Sequence, residues 1–167
     1  MQRTWLIAAT MLFATGSVPA QDEWERQARA QLLELGKAAG LEGYELKPQL
    51  ITGSLRQRRF TNHAISLQAG TDYAVIAACD DHCGDVDLRL YSANAIEVDS
   101  DVERDDYPVV EVSPPRTTVY QVRVIMAHCA ANPCRYGIGI FQKSGVSRDA
   151  SRHEPAPGST QRRAREG

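Results

Sequence analysis

In the stretch CDDHCGDVDLRLY, Cys79 to Tyr91, two cysteines, one histidine and four aspartates fall within thirteen residues. His128 and Cys129 are neighbours further on, and Cys134 follows Cys129 at a spacing of five. Thiolates with imidazoles can hold zinc, grouped carboxylates can hold a hard cation or act as acid and base in hydrolysis, and close cysteines can oxidise to a disulfide. Spacing separates these options. Neither cysteine pair has the C-x2-C knuckle of structural zinc, and His82 and His128 make the zinc set only loosely permissive. A Cys–His pair adjacent in sequence says little about a catalytic dyad in space.

The start of the chain bears on the compartment. Arg3 precedes an apolar run from Trp5 to Phe13, and small residues follow up to Val18-Pro19-Ala20. This is the three-part pattern of a signal peptide over residues 1–20, with the mature chain expected from Gln21. The run is shorter than the roughly 20 residues of a spanning helix, and no second hydrophobic run follows it, so no transmembrane anchor is expected. The expected localisation is periplasmic or secreted. There Cys79, Cys83, Cys129 and Cys134 meet oxidising conditions, which favours disulfides over zinc. The close spacings suggest local bridges, Cys79 with Cys83 and Cys129 with Cys134, while a cross-pairing of the two loops stays open.

The elements that must position these residues are legible from periodicity. The 167 residues, less leader and tail, suffice for one domain with a single core. In residues 21–43, Asp22 and Glu25 form an expected capping box, and Trp24, Ala28, Leu32, Leu35 and Ala39 recur at helical spacing before Gly40 and Gly43. This helix is expected to cover part of the domain or lead into it. From Gln49 the period becomes alternating. Strands are expected near Gln49–Leu55, Phe60–Leu67, Tyr73–Cys79, Val86–Tyr91, Ala95–Asp99, Val109–Ser113, Thr118–Ala127 and Tyr136–Gln142. In VYQVRVIMA, Val119, Gln121, Arg123 and Ile125 share one face, and Tyr120, Val122, Val124 and Met126 share the core face. Each strand buries one face, so the expected class is all-β: an antiparallel, jelly-roll-like β-sandwich over residues 44–142 with one N-terminal helix. The polar, basic tail over residues 143–167, with Pro155, Pro157 and Gly158, is expected to be disordered.

The phrases LQAGTDYAVIAACD, DVDLRLYSANAIEVDSD and YPVVEVSPPRTTVYQVRV, in that order, resemble the bacterial pre-peptidase C-terminal domain, a secreted β-sandwich. The resemblance spans Ile51 to Phe141. It rests on Leu67, Ala69, Gly70 and Tyr73, on Asp85, Asp87, Leu88, Leu90 and Tyr91, on Asn94, Asp99 and Asp101, and on Tyr120, Val122 and Val124. The glycine that usually precedes the last tyrosine phrase is replaced at Thr117-Thr118, and no protease domain is expected ahead of the module. The resemblance implies a noncatalytic binding or accessory module, associated in that family with substrate attachment, secretion or folding of secreted partners. The expected partner is an unknown secreted protein or a polysaccharide, with no nucleic acid.

Asp85 and Asp87 alternate with Val86 and Leu88, so both carboxylates should leave the same, non-core face of a strand. With Asp99 and Asp101 they form a candidate calcium site; Asp80, Asp81, Asp105 and Asp106 are further oxygen donors. The spacing is not that of an EF-hand. The competing reading gives Asp80, Asp81 and Asp85 to turn hydrogen bonds, Asp87 to solvent and Asp99 to Asp106 to an acidic loop. No cofactor is required by the sequence, and calcium is the one ion it suggests. Formal net charge is −2, unevenly spread: Arg56, Arg58 and Arg59 form a short basic patch, expected to be a solvated or salt-bridged face. G-x-S-x-G, H-E-x-x-H, P-loop and dinucleotide patterns are absent from the sequence, so no catalytic residue is assigned. The expected function is an exported, noncatalytic binding module. The alternative is an unrecognised hydrolase working at the acidic end through Asp85 and Asp87.

Overall fold

The computed structural model describes residues 20–145. Residues 1–19 of the expected signal peptide and residues 146–167 of the expected tail lie outside the described residues. One helix, α1 (Ala20–Ala38), is followed by nine strands. These are β1 (Tyr44–Leu46), β2 (Ile51–Leu55), β3 (Arg59–Leu67), β4 (Tyr73–Cys79), β5 (Cys83–Tyr91), β6 (Glu97–Asp101), β7 (Val109–Val112), β8 (Thr118–Cys129) and β9 (Cys134–Lys143). The first sheet runs β2-β9-β4-β7, with β1 also paired to β9, and the second runs β3-β8-β5-β6. All pairings are antiparallel. Apart from β5 and β6, which pair with each other in the second sheet, successive strands from β2 to β9 cross from one sheet to the other, the pattern of an eight-stranded jelly roll. The fold class agrees with the sequence; the added strand is β1, three residues long and too short to show a period.

Alternation sets the core between the sheets. Tyr120, Val122, Val124 and Met126 of β8 are buried against Val86, Leu88 and Leu90 of β5 and Val75, Ala77 and Ile138 of the other sheet. β4 differs: YAVIAAC is buried at every position. Its odd residues, Tyr73, Val75, Ala77 and Cys79, join the core between the sheets, while Ala74, Ile76 and Ala78 join a second core beneath α1. A strand covered on both sides reads as a continuous apolar run.

The helix therefore forms a third layer, on the outer face of the first sheet. Trp24, Ala28 and Leu32 are buried, as their spacing predicted, whereas Leu35 is half-buried and Ala39 lies beyond the helix and exposed. The approach is close because β9 has glycine where α1 crosses. A Cβ at Gly137 would sit 2.7 Å from Ala28 Cβ, and one at Gly139 would sit 2.8 Å from Leu46 Cδ1 and 3.1 Å from Leu32 Cδ1. Burying each large side chain of this interface is worth about 1.5–3 kcal/mol, a substantial share of a domain's margin. At its C-terminal end the helix closes as predicted on Gly40 (φ 71°). Leu41 N–H donates to Gly36 C=O and Gly40 N–H to Lys37 C=O, the Schellman pattern, and Leu41 is buried after it. At the other end the expected capping box is corrected. The helix begins at Ala20, so Asp22 lies inside its first turn and not at the cap.

Candidate binding face

Both cysteine pairs are oxidised, so they staple the chain and hold no metal through free thiols. Cys79 is bonded to Cys83 and Cys129 to Cys134, and no cysteine among the described residues is free. Each bridge joins the end of a strand in one sheet to the start of the next strand in the other. Cys83 and Cys129 are direct partners across β5 and β8, so the two bridges lie side by side at one end of the sandwich. The loop between Cys79 and Cys83 is held by Asp80. Its Oδ1 accepts the His82 N–H and its Oδ2 accepts the Arg135 N–H at 2.7 Å.

The four candidate calcium ligands are divided between two faces. A bulge at Cys83, Asp85 and Val86 turns Cys83 inward and leaves Asp85 and Asp87 on the outer side of the second sheet. Burial raises both carboxyls above the usual range, and for Asp87 the Asp85 charge adds to it, with Asp101 and Asp105 contributing less. Asp85 Oδ1 has no hydrogen-bond partner among the described residues. Asp99 and Asp101 instead stand opposite the core residues Leu90 and Leu88, so they project toward β7. Asp101 Oδ2 accepts the Val109 N–H at 2.8 Å and Asp99 Oδ2 accepts the Glu111 N–H at 2.6 Å. Their other oxygens accept Glu103 and Ser100 N–H. The N–H groups of β7 that β4 does not use thus find carboxylates from the other sheet. Among the described residues, no three or more His, Cys, Asp or Glu side chains converge in a metal-binding arrangement.

The outer faces of the two sheets differ. The first is covered by α1; the second has no covering element among the described residues. Its cross-strand rows are Phe60–Ile125–Asp87 and Asn62–Arg123–Arg89, followed by Ala64–Gln121–Tyr91. Arg123 lies at the centre, where strand alternation placed it. Its guanidinium carbon is 4.6 Å from the Phe60 ring centroid and 4.9 Å from that of Tyr91. Nε donates to Asn62 Oδ1 at 2.9 Å, and Nη1 reaches the Tyr91 hydroxyl at 3.4 Å. Two rings and an amide therefore fix the planar cation. Its neighbour Arg89 is neutralised by Glu97 at 2.9 Å, whereas Arg123 has no carboxylate partner among the described residues. Phe60 is 57% exposed and Val119, on the same face, 46%.

Sequence reasoning placed Arg123 on the outer face but did not single out Phe60, Tyr91 or Asn62. The available signal was the non-core parity of Phe60 and Tyr91 on their strands. What joins them to Arg123 is the register of three strands far apart in the chain. The inward side of β3 carries His63, whose Nε2 lies 2.9 Å from the Tyr136 hydroxyl, and burial holds the imidazole below its usual range.

No family model matches the chain, and no curated protein matches it. Among solved structures it is similar to PliG from Aeromonas hydrophila, a periplasmic lysozyme inhibitor of g-type lysozyme. That likeness has 11% identity and a TM-score of 0.44, over 60% of this chain and 89% of that one. It is also similar to a glycosylation-associated protein complex, Gap123, from Streptococcus agalactiae, with 15% identity and a TM-score of 0.35, over 60% and 39%. A third, an arabinose-bound GH51 α-L-arabinofuranosidase, has 8% identity and a TM-score of 0.28, over 63% and 24%. At these scores the likenesses carry no argument about activity or partner.

Proposed function

We propose that the chain is an exported, noncatalytic binding module that engages an envelope or extracellular partner, a secreted protein or a polysaccharide, through the outer face of its second sheet. One observation carries the reading: Arg123 is held between Phe60 and Tyr91 at the centre of a sheet face that α1 does not cover. Arginine and aromatic side chains are the residues that most often dominate binding energy. A guanidinium already fixed by neighbours loses little further entropy when a partner docks. Export is supported by the leader pattern and by two formed disulfides, which persist in oxidising compartments. No helix among the described residues is long and apolar enough to cross a membrane. The resemblance to pre-peptidase C-terminal domains is part of the same proposal, supported by Tyr73, Leu88, Leu90, Tyr120, Val122 and Val124 meeting in one core.

The test is capture from envelope extract and culture fluid by the purified, immobilised mature protein. Material retained by the wild type should be lost with Arg123→Ala and with Phe60→Ala, and kept with Leu33→Ser on the exposed side of α1. Equal retention by all four proteins would place binding elsewhere. A second reading has its own observation, the Oδ1 of Asp85, unpartnered among the described residues, beside the Asp87 carboxyl that burial raises above its usual range. Release of reducing ends from envelope polysaccharide, abolished by Asp85→Asn, would favour hydrolysis at that end.

A further inference from the structure

We infer that the ligand of this face is an acidic polysaccharide, read by an arginine strip that runs from the β2–β3 turn onto Phe60 and Arg123. The inference rests on the binding face proposed above and names its ligand class. Arg56, Arg58, Arg59, Phe60 and Pro133 line an open hollow of about 640 Å³. That is well beyond the needs of a single carboxylate side chain and within the range of small-molecule sites. Phe60 belongs both to the hollow and to the stack on Arg123, so hollow and sheet face are continuous. The three salt bridges among the described residues use Lys37, Arg89 and Lys143, leaving Arg56, Arg58, Arg59 and Arg123 without a carboxylate there. Of the expected solvated or salt-bridged face, the solvated form is the one found: Arg56, Arg58 and Arg59 are exposed.

The strip is also held in place. Arg58 N–H donates to Met126 C=O at 2.6 Å, Arg59 N–H donates to Arg56 C=O, and Gln57 N–H donates to Asn132 Oδ1 at 2.7 Å. Arg58 has φ 61°, a left-handed conformation that glycine or asparagine adopts more easily. A long cationic side chain at such a position is a pointer to function. Four guanidiniums match a polymer carrying repeated carboxylates or sulfates. The exposed Phe60 ring among them offers an apolar plane for the C–H face of a sugar. Asp87, in the same cross-strand row as Phe60, confines the anion to the β3 and β8 side.

Binding of polygalacturonate, dextran sulfate, neutral dextran and polyglutamate to the full mature protein tests this by calorimetry. Polygalacturonate or dextran sulfate should bind, more weakly as salt rises, and neutral dextran should not. Arg58→Gly should weaken binding about tenfold while leaving the melting temperature equal or higher, because the left-handed position is relieved. Phe60→Ala should weaken it about fivefold, and polyglutamate should bind less tightly and ignore Phe60→Ala. Absence of binding to both charged polysaccharides overturns the inference. So does full affinity in Arg58→Gly and Phe60→Ala, which would place the polyanion on another part of the chain, and so does polyglutamate binding as tightly as the polysaccharides. If any of these three failures occurs while native capture still depends on Arg123, the ligand class is wrong and the binding face stands; if that dependence is lost too, both fail.

Discussion

Asp99 and Asp101 should act as a clasp on the open edge of β7, and removing them gives a sharp expectation. Each accepts one β7 N–H and one local N–H, four charge-assisted bonds in all. The register is that of a strand pair: Asp99 meets Glu111 and Asp101 meets Val109, two residues apart on both sides. A hydrogen bond to a charged group is worth about 1.5–3 kcal/mol, and solvent access here argues for the lower end. Asp101→Ala, at the more buried of the two β7 contacts, should then cost about 2 kcal/mol and Asp99→Ala about 1.5 kcal/mol. The double variant should lose about 3 kcal/mol, since neighbours on one edge are not independent. In urea this moves the midpoint by about 1 M or more with an unchanged slope. Site-resolved hydrogen exchange is the more telling assay. Val109 and Glu111 amides should lose protection, while Val110 and Val112, whose N–H groups alternate toward β4, should keep theirs. Unchanged protection at Val109 and Glu111, or a double variant within about 0.5 kcal/mol of wild type, would refute the clasp.

Other expectations are more compact. Val124→Asp puts a charge into the fully buried core and should cost more than about 3 kcal/mol, whereas Arg123→Ala, losing two exposed cation–π contacts, should cost about 1 kcal/mol; urea melts showing equal losses would reverse the face assignment. Thiol labelling of denatured, unreduced protein should find no free thiol. Reduction should destabilise by about 2 kcal/mol per bridge, given the short loops closed, while four reactive thiols with bound zinc would restore the metal site. Burial raises the Asp87 carboxyl by disfavouring its charged form, so Asp87→Asn should stabilise at neutral pH by about 0.5 kcal/mol. That gain should vanish as pH falls through the folded value toward 3.8; melts in which the gain grows on acidification would contradict the sign. With ionic strength fixed, calcium and chelator should give melting temperatures within about 1 °C of each other. Specific binding at a hundredfold excess would add about 2.7 kcal/mol, and a rise lost in Asp87→Asn would put the ion back among the aspartates.

Alternation made most of the fold legible, because a strand with one buried face declares its parity. Thr118–Cys129 is the clearest case, and its core residues are the expected ones. β4 was readable as a strand but not as one buried on both sides, since a continuous apolar run fits several settings. Its second cover depends on Gly137 and Gly139, distant residues whose lack of side chains admits α1. Spacing suggested local cysteine pairs but left a cross-pairing open, and the structure decides for the local bridges. The roles of Asp99 and Asp101 did not, because β7 is reached across the gap between sheets, and parity within β6 says only that they face inward. Phe60, Arg123 and Tyr91 were hidden for a related reason: register between β3, β8 and β5 brings them together, and register is a long-range property.

The placement of the two bridges has a kinetic consequence. Cys79 and Cys83 are four residues apart and Cys129 and Cys134 five, so each pair can meet in an unstructured chain. Loops of this size close on the order of 100 ns or faster. A wrong pair such as Cys83 with Cys129 must close a far longer loop, at a higher entropic barrier. Oxidation should therefore reach the native pairing first, before any sheet exists, and folding should begin from a chain in which two of its turns are already tied. Refolding from the denatured, oxidised state should then proceed without a disulfide isomerase, and without a phase that depends on thiol concentration.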